Sequence, residues 1–427
     1  MFEPTSHETV QLTKASVDQC VKCTICESQC PVMAVTPLFP GPKYIGPQAE
    51  RFRLGASVDH SLDYCSSCGT CTVVCPQGVK VSELNGIARA AMKKGHMPWR
   101  DQLISRTTLM GVALSPVAPL ANAALASKPI RVVAEKVAGI HRDAAMPPIQ
   151  RHSFQSWWRN HHSAPGAGNR GTVVFFHGCA GNYFEVETSI RAVEVLEHIG
   201  YRVLVPKQGC CGMALQSNGL FDTARSWVRQ LVADLDQAPR DLPIVSTAGS
   251  CQGMLKHEAR LILGVDDPEL AAVGARTWDI CEFLLDLADR GELPLNLRPN
   301  PMTVVYHAPC QLKSQGIGHP AVPLLRLIPQ LTVVESGATC CGIAGTYGLK
   351  REKYPIARAV GQPLFDKIVA VSPKLAVCDT ETCRWQLRHH TGAQVEHPIW
   401  LLHQAYGLSQ PESASQTESS GSARTGH

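Results

Sequence analysis

Two short stretches of this chain hold cysteine at a spacing that suits one kind of chemistry above others. "CVKCTICESQCP" sets Cys20, Cys23, Cys26 and Cys30 ahead of Pro31, and "CSSCGTCTVVCP" repeats the pattern with Cys65, Cys68, Cys71, Cys75 and Pro76. Three thiolates spaced C-x-x-C-x-x-C wrap one corner of a cubane. The fourth cysteine lies too far along the chain to close the same cluster and ligates the other one. The spacing therefore predicts two [4Fe–4S] clusters as metal centres, one on Cys20, Cys23, Cys26 and Cys75, the other on Cys65, Cys68, Cys71 and Cys30. Structural zinc fits poorly, because zinc sites pair C-x-x-C units or mix cysteine with histidine. Two clusters in one small domain suit electron transfer.

A second set of cysteines has a different grammar. "GCCGMALQS" and "TCCGIAGTY" put Cys210 beside Cys211 and Cys340 beside Cys341, each pair followed by glycine. Adjacent Cα atoms are about 3.8 Å apart, closer than the roughly 4.4–6.8 Å of a relaxed disulfide. Each pair follows another cysteine by about thirty residues (Cys179, Cys310) and precedes one by about forty (Cys251, Cys383). Gly212 and Gly342 let the backbone turn so that both sulfurs face one group. The pattern reads as a ligand cage for further iron–sulfur centres, or as a redox dithiol. Cys281, in "WDICEFLLDLA", reads instead as a packed apolar position in an amphipathic helix. His177 and His307 sit just ahead of Cys179 and Cys310. Each is placed to tune a neighbouring centre or take up a proton, or simply to hydrogen-bond a loop. His319 and His397 have no partner legible in the sequence.

The elements that must position these thiols repeat as well. "TVVFFHGC" parallels "TVVYHAPC", and "LPIVSTAGSC" parallels "PKLAVCDTETC", with helix-like runs such as "ETSIRAVEVLEHIG" between them. Strands alternating with helices predict a parallel α/β core in each repeat, with the cysteines in loops at strand C-terminal ends, where open α/β sheets bind ligands. The fold class expected is α/β: a mainly helical two-[4Fe–4S] ferredoxin-type domain followed by two α/β cysteine-rich repeats. The boundaries read as a polar leader over 1–16, the ferredoxin-type domain over 17–100, and an apolar and amphipathic connector over 101–170. The repeats follow over 171–298 and 299–408, then a polar, disordered tail over 409–427. The spacer between the first two motifs reads as turns and a short helix, and a further helix is expected from a Ser82 cap to a Gly95 stop, with Leu84, Ile87 and Ala91 inward. "GAGNRG" spells a dinucleotide fingerprint but precedes its strand instead of following it, so it is a linker.

Of 427 residues, 44% are apolar and 18% charged, an ordinary globular balance, and the net charge of +4 gives no case for nucleic acid. The opening "MFEPTSHETVQLTKAS" has no apolar core behind a basic start, so a cytoplasmic setting is expected, where 18 clustered cysteines favour metal or redox work over disulfides. "TTLMGVALSPVAPLANAALAS" carries no charge. Its prolines and polar residues argue for a buried or interfacial segment over a membrane span. "KPIRVVAEKVAGIHR" lines up Ile130, Val133, Val137 and Ile140 against Lys128, Arg131, Lys136 and Arg142, which suits a membrane surface or a partner groove. Packing on the protein's own core is the expectation for this helix.

The paired-cysteine repeats resemble the CCG domain of heterodisulfide reductases and of the iron–sulfur subunits of glycolate and lactate oxidation systems. "FPGPKYIGPQAERFRL", "LMGVALSPVAP", "CCGIAGTYG", "ETCRWQ" and "EHPIWLL" make the layout similar to the family of iron–sulfur, CCG-domain subunits of anaerobic sn-glycerol-3-phosphate dehydrogenases, from about residue 18 to 405. The resemblance implies an electron-transfer subunit with no catalytic residue of its own, flavoprotein dehydrogenase subunits as partners, and membrane quinone as the destination of the electrons. It also implies peripheral contact with the cytoplasmic face of the inner membrane, through residues 103–142. A lactate or glycolate oxidation subunit and a catalytic heterodisulfide-reductase-like subunit are the alternatives. The CCG pattern also expects a closing C-x-x-C, and here Ala248 and Thr380 stand where its first cysteine belongs, with Cys378 two residues upstream.

Overall fold

The computed structural model describes residues 6–48, 60–371 and 374–408. The tail 409–427 and the middle of the 41–64 spacer lie outside the described residues. The leader is helical over Ser6–Ala15 and Thr13 is buried, its hydroxyl donating to the Leu261 carbonyl at 3.4 Å. The spacer begins with a helical turn at Tyr44–Gln48 and resumes at His60–Tyr64.

Each repeat holds a four-stranded, all-parallel sheet. The first comprises β1 (Gly171–Phe176), β2 (Tyr201–Leu204), β3 (Ile244–Ser246) and β4 (Thr277–Asp279) in the order β2-β1-β3-β4. The second comprises β5 (Thr303–Tyr306), β6 (Thr332–Glu335), β7 (Leu375–Val377) and β8 (Val395–Glu396) in the order β6-β5-β7-β8. The internal repetition of the sequence is thus a repetition of topology. β1 and β5 are buried on both faces, which is why they read as unbroken runs of Val, Phe and Tyr. Successive side chains point to opposite faces. Val173 and Phe175 therefore enter one cluster, while Val174 and Phe176 enter another with Val228, Leu231 and Leu235 of the helix Phe221–Leu235. The first of these clusters also holds Val304, Tyr306, Val377, Ile399 and Leu402, so the two repeats share one core.

The helix Val81–Lys93 begins one residue before the expected cap: Lys80 is the cap, and the Ser82 N–H donates to the Thr72 hydroxyl at 2.9 Å. Leu84 is buried, but Ile87 and Ala91 are only half so. Buried Arg89 occupies the inner face because its guanidinium donates to the Cys65 carbonyl at 2.7 Å and the Ser67 hydroxyl at 2.6 Å. An ion network clamps this domain to both repeats. Lys93 pairs with Asp63 at 2.9 Å and Asp101 at 3.0 Å. Lys350 pairs with Asp101 at 2.8 Å and donates to Asn218 at 2.7 Å, and Lys353 pairs with Asp63 at 2.7 Å. Burial pushes the Asp101 carboxyl up, but Lys350 and Lys93 outweigh it and hold it at about 2.

The uncharged stretch folds as two helices, Thr107–Leu114 and Ala118–Ala126, joined by one 3₁₀ turn. By length and composition Thr107–Ala126 could cross a membrane, and only 17% of it is buried. Asn122 exchanges hydrogen bonds of 2.9 Å with both backbone groups of Ile149 in the connector, and the first helix packs on the first repeat so closely that a side chain at Gly111 would overlap the Tyr183 ring. The next helix, Lys128–Ala138, does not pack its apolar face on the core as expected. Val137 is 67% exposed, Val133 is exposed, and Ile130 is half-exposed. The inward face is polar: Glu135 is buried in a pair with Arg142, and the Arg131 guanidinium donates to the carbonyls of Leu125, Arg142 and Ala144. Satisfying those backbone carbonyls turns the valines outward.

Candidate metal centres

Lys22 and Thr24 take left-handed backbone angles (φ +61 and +66), and Ser67 and Gly69 do the same at the matching places of the second motif (φ +55 and +77). Three non-glycine residues in that region are costly. They curl each C-x-x-C-x-x-C inward and start the helical turns Ile25–Ser28 and Thr70–Val73, which carry Cys26 and Cys71. Cys20, Cys23, Cys26 and Cys75 come together around one small cavity, and Cys30, Cys65, Cys68 and Cys71 around another. These are the two quartets that the spacing predicts. Burial and the crowding of neighbouring thiols push Cys26 up, and Cys30 up to about 12. A thiolate quartet in that setting calls for a cationic centre to offset its mutual repulsion.

The vicinal pairs lie beyond strand ends, as expected. In the first repeat Cys210 approaches Cys179 at 3.6 Å, while Cys211 hydrogen-bonds Cys251. In the second repeat Cys340 faces Cys310, and Cys341 lies 3.0 Å from Cys383. Cys210 is held well below the ordinary thiol range by Cys179, Cys211 and the Gly212 N–H. Cys340 is held likewise by Cys310, Cys341 and the Gly342 N–H, which donates at 3.3 Å. The two glycines are not equivalent. Gly212 (φ +77) has some room beside Ala224, but at Gly342 (φ +88) a methyl would overlap the Ala357 carbonyl. Gly342→Ala should therefore cost several kcal/mol and lower the melting temperature well beyond Gly212→Ala. Equal melting curves for the two variants would refute this reading of the second cage.

Cys378 and His307, which the sequence names without settling their roles, join the site, and so does Thr107, which no sequence signal names. Cys378, the residue just after β7, reaches Cys383, so the second cage gathers five sulfurs. His307 offers a nitrogen that lies, with the sulfurs of Cys341 and Cys383, in a group all within 4.8 Å of one another. Its Nδ1 is 3.3 Å from the Ser336 hydroxyl, and its buried Nε2 has no hydrogen-bond partner among the described residues. His177, in the first repeat, is bound instead to the Gly178 carbonyl at 2.7 Å and faces Gln155, so there the loop-holding role applies. Thr107 donates to Cys179 at 3.2 Å, an arrangement visible only once the helix is folded against the repeat. Cys281 is fully buried, but beside the carboxyls of Asp279 and Asp379 as well as apolar neighbours. His319 pairs with Glu335 at 3.1 Å, and His397 caps the helix Pro398–Ala405 by accepting the Ile399 N–H at 3.0 Å. Cys68 lies close enough to Cys310 and Cys340 for their charges to interact, which brings the second quartet next to the second cage. Both cages open on one shared cavity of about 440 Å³.

The fold and these thiol groups define the class: an iron–sulfur protein with a two-cluster domain ahead of two cysteine-rich α/β domains. A family described as 4Fe-4S dicluster domain matches residues 16–79, and one described as cysteine-rich domain matches residues 173–256 and again 304–388. Two [4Fe–4S] clusters are its cofactors, and the cysteine-rich domains suggest further centres. An iron–sulfur subunit of the anaerobic glycerol-3-phosphate dehydrogenase of Escherichia coli (strain K12) is 37% identical over 401 residues, which cover 92% of this chain and 100% of that one. This chain belongs to that family of iron–sulfur subunits. A subunit of the fumarate reductase (CoM/CoB) of Methanothermobacter marburgensis is 27% identical over 84% of this chain and 65% of its own length. A probable glycolate oxidase iron–sulfur subunit of Bacillus subtilis is 25% identical over 68% of this chain and 69% of its own.

Proposed function

We propose that the chain is the electron-transferring subunit of a glycerol-3-phosphate dehydrogenase complex, taking electrons from a flavoprotein partner and passing them toward membrane quinone. The observation that carries this is full-length similarity to the Escherichia coli iron–sulfur subunit, together with two thiol quartets of which the second lies, through Cys68, beside Cys310 and Cys340 of a cage. The first quartet holds one [4Fe–4S] cluster and the second quartet the other. In the second cage Cys310, Cys340, Cys341, Cys383 and Cys378 hold a further centre. In the first cage Cys179, Cys210, Cys211 and Cys251 offer one sulfur fewer. The orphaned His307 nitrogen fits the second cage as a further donor. These groups supply one-electron steps; the chain itself carries the cage geometry and the protected path. Contact with the cytoplasmic face of the membrane is peripheral, through the exposed apolar helices of residues 107–138.

The test is to purify the chain anaerobically with its flavoprotein partner and add glycerol 3-phosphate. Cluster reduction should be seen by electron paramagnetic resonance, with iron at about eleven or more per chain. Reduction by lactate or glycolate but not by glycerol 3-phosphate would replace this donor with the alternative one. About eight irons would confine the clusters to the two quartets.

A further inference from the structure

The cavity between the two cages extends well past the sulfurs. Helix Thr107–Leu114 explains how. Thr107, Met110 and Leu114, at i, i+3 and i+7, line the cavity from the first cage outward, while Leu109 and Val112 on the opposite side are exposed. Leu125, Ile130, Ala134 and Ile140 continue the same wall. Leu103 and Ile130 both line the cavity and stand half-exposed at the surface, so they form its mouth. The mouth therefore opens on the apolar face that we propose contacts the membrane.

The lining states what fits. Its charged side chains, among the described residues, are Arg131, Glu258 and Glu381. Arg131 is committed to three backbone carbonyls, so an anionic disulfide or a phosphorylated substrate would find no free cation. The cavity of about 440 Å³ includes the space inside the cages, so a small molecule has the apolar part beyond the sulfurs, walled by Met110, Leu114, Leu125 and Ile130.

We propose that this cavity is a binding site for a lipid-soluble quinone, entered between Leu103 and Ile130, with the ring seated between the two cysteine cages. This rests on the electron-transfer reading above. Two electrons, released with two protons when the partner oxidises an alcohol to a ketone, arrive singly through the cysteine-held centres. The quinone takes both electrons and two protons, each C=O becomes C–OH, and no bond to the protein forms. Glu258, set in the cavity wall beside Gln311, delivers one proton and is recharged from water; the other comes from water directly. Burial and neighbouring Glu83 push its carboxyl up to about 7, against the Gln311 hydrogen bond, so it carries a proton to give near neutrality.

The test uses the complex with its flavoprotein partner. An azido-naphthoquinone is photolysed with and without excess 2,3-dimethyl-1,4-naphthoquinone, and labelled peptides are mapped. Protected label on peptides holding Leu103, Met110 or Ile130 is expected. Ile130→Trp, with its iron content verified, should lower reduction of the dimethylnaphthoquinone at least tenfold more than reduction of a water-soluble dye. Protected label found only elsewhere, or an Ile130→Trp quinone-to-dye ratio equal to wild type, overturns the site. A wild-type complex that reduces neither acceptor with glycerol 3-phosphate would instead overturn the proposed donor, while protected labelling still decides the cavity.

Discussion

Replacing Cys26 with serine should remove about four of the irons of the two quartets and cut electron transfer more than a hundredfold. Cys26 sits on the turn Ile25–Ser28 and shares its cavity with Cys20, Cys23 and Cys75. Its thiol is pushed up first by burial, then by Glu27 and the neighbouring cysteines. A bound iron–sulfur group relieves that crowding, since thiolate is the ligand such clusters select, and a serine oxygen is a harder and poorer substitute. The effect on turnover exceeds the effect on iron because the groups lie in succession and a missing link stops the flow. Cys281→Ser is the control: that thiol is more deeply buried than Cys26 but belongs to neither quartet, and its loss should leave the iron count as it was. Iron, acid-labile sulfide and spectra of the two variants, side by side, decide the matter. Unchanged iron and turnover in Cys26→Ser would refute the first quartet.

Three sulfurs of each quartet were legible because C-x-x-C-x-x-C spacing is local, and the fourth, Cys75 or Cys30 from the other motif, followed from the rule that a two-cluster repeat exchanges its last cysteine. The cages were legible for a related reason, since each cysteine follows a strand and strand ends converge in a parallel sheet. What escaped the sequence depends on packing between distant segments. The sequence sets Cys378 two residues upstream of the closing position but does not show that its sulfur still reaches Cys383, and Thr107 meets Cys179 across 72 residues. The shared core was hidden too, because Phe175 and Val377 each look like ordinary strand residues of separate repeats. The helix Lys128–Ala138 misled for a sharper reason. Its apolar stripe is real, but the backbone carbonyls of the following loop claim Arg131, and that claim sets which face looks inward.

That outward face is the basis of the second large effect. Leu109, Val112, Val117, Leu120, Val133 and Val137 are exposed, Leu120 to 74%, and Lys128 and Lys136 stand beside them. An apolar strip this long is unusual on a surface bathed only in water, and lysines at its edge suit anionic headgroups. Changing Leu120 and Val133 to aspartate withdraws two side chains worth about 1.5–3 kcal/mol each when buried, a hundredfold or more in partitioning. The purified chain should then fail to float with vesicles of anionic lipid that hold the wild type. Lys128→Glu with Lys136→Glu should weaken binding by about 1 kcal/mol per charge at low salt and much less at high salt. Arg131 is spared in this design because removing it would release three carbonyls and disturb the helix itself. If the aspartate pair binds vesicles like wild type, the anchor lies on another face or on a partner. If binding is lost while iron content holds, this apolar face docks the protein, with Leu103 and Ile130 of the cavity wall exposed beside it.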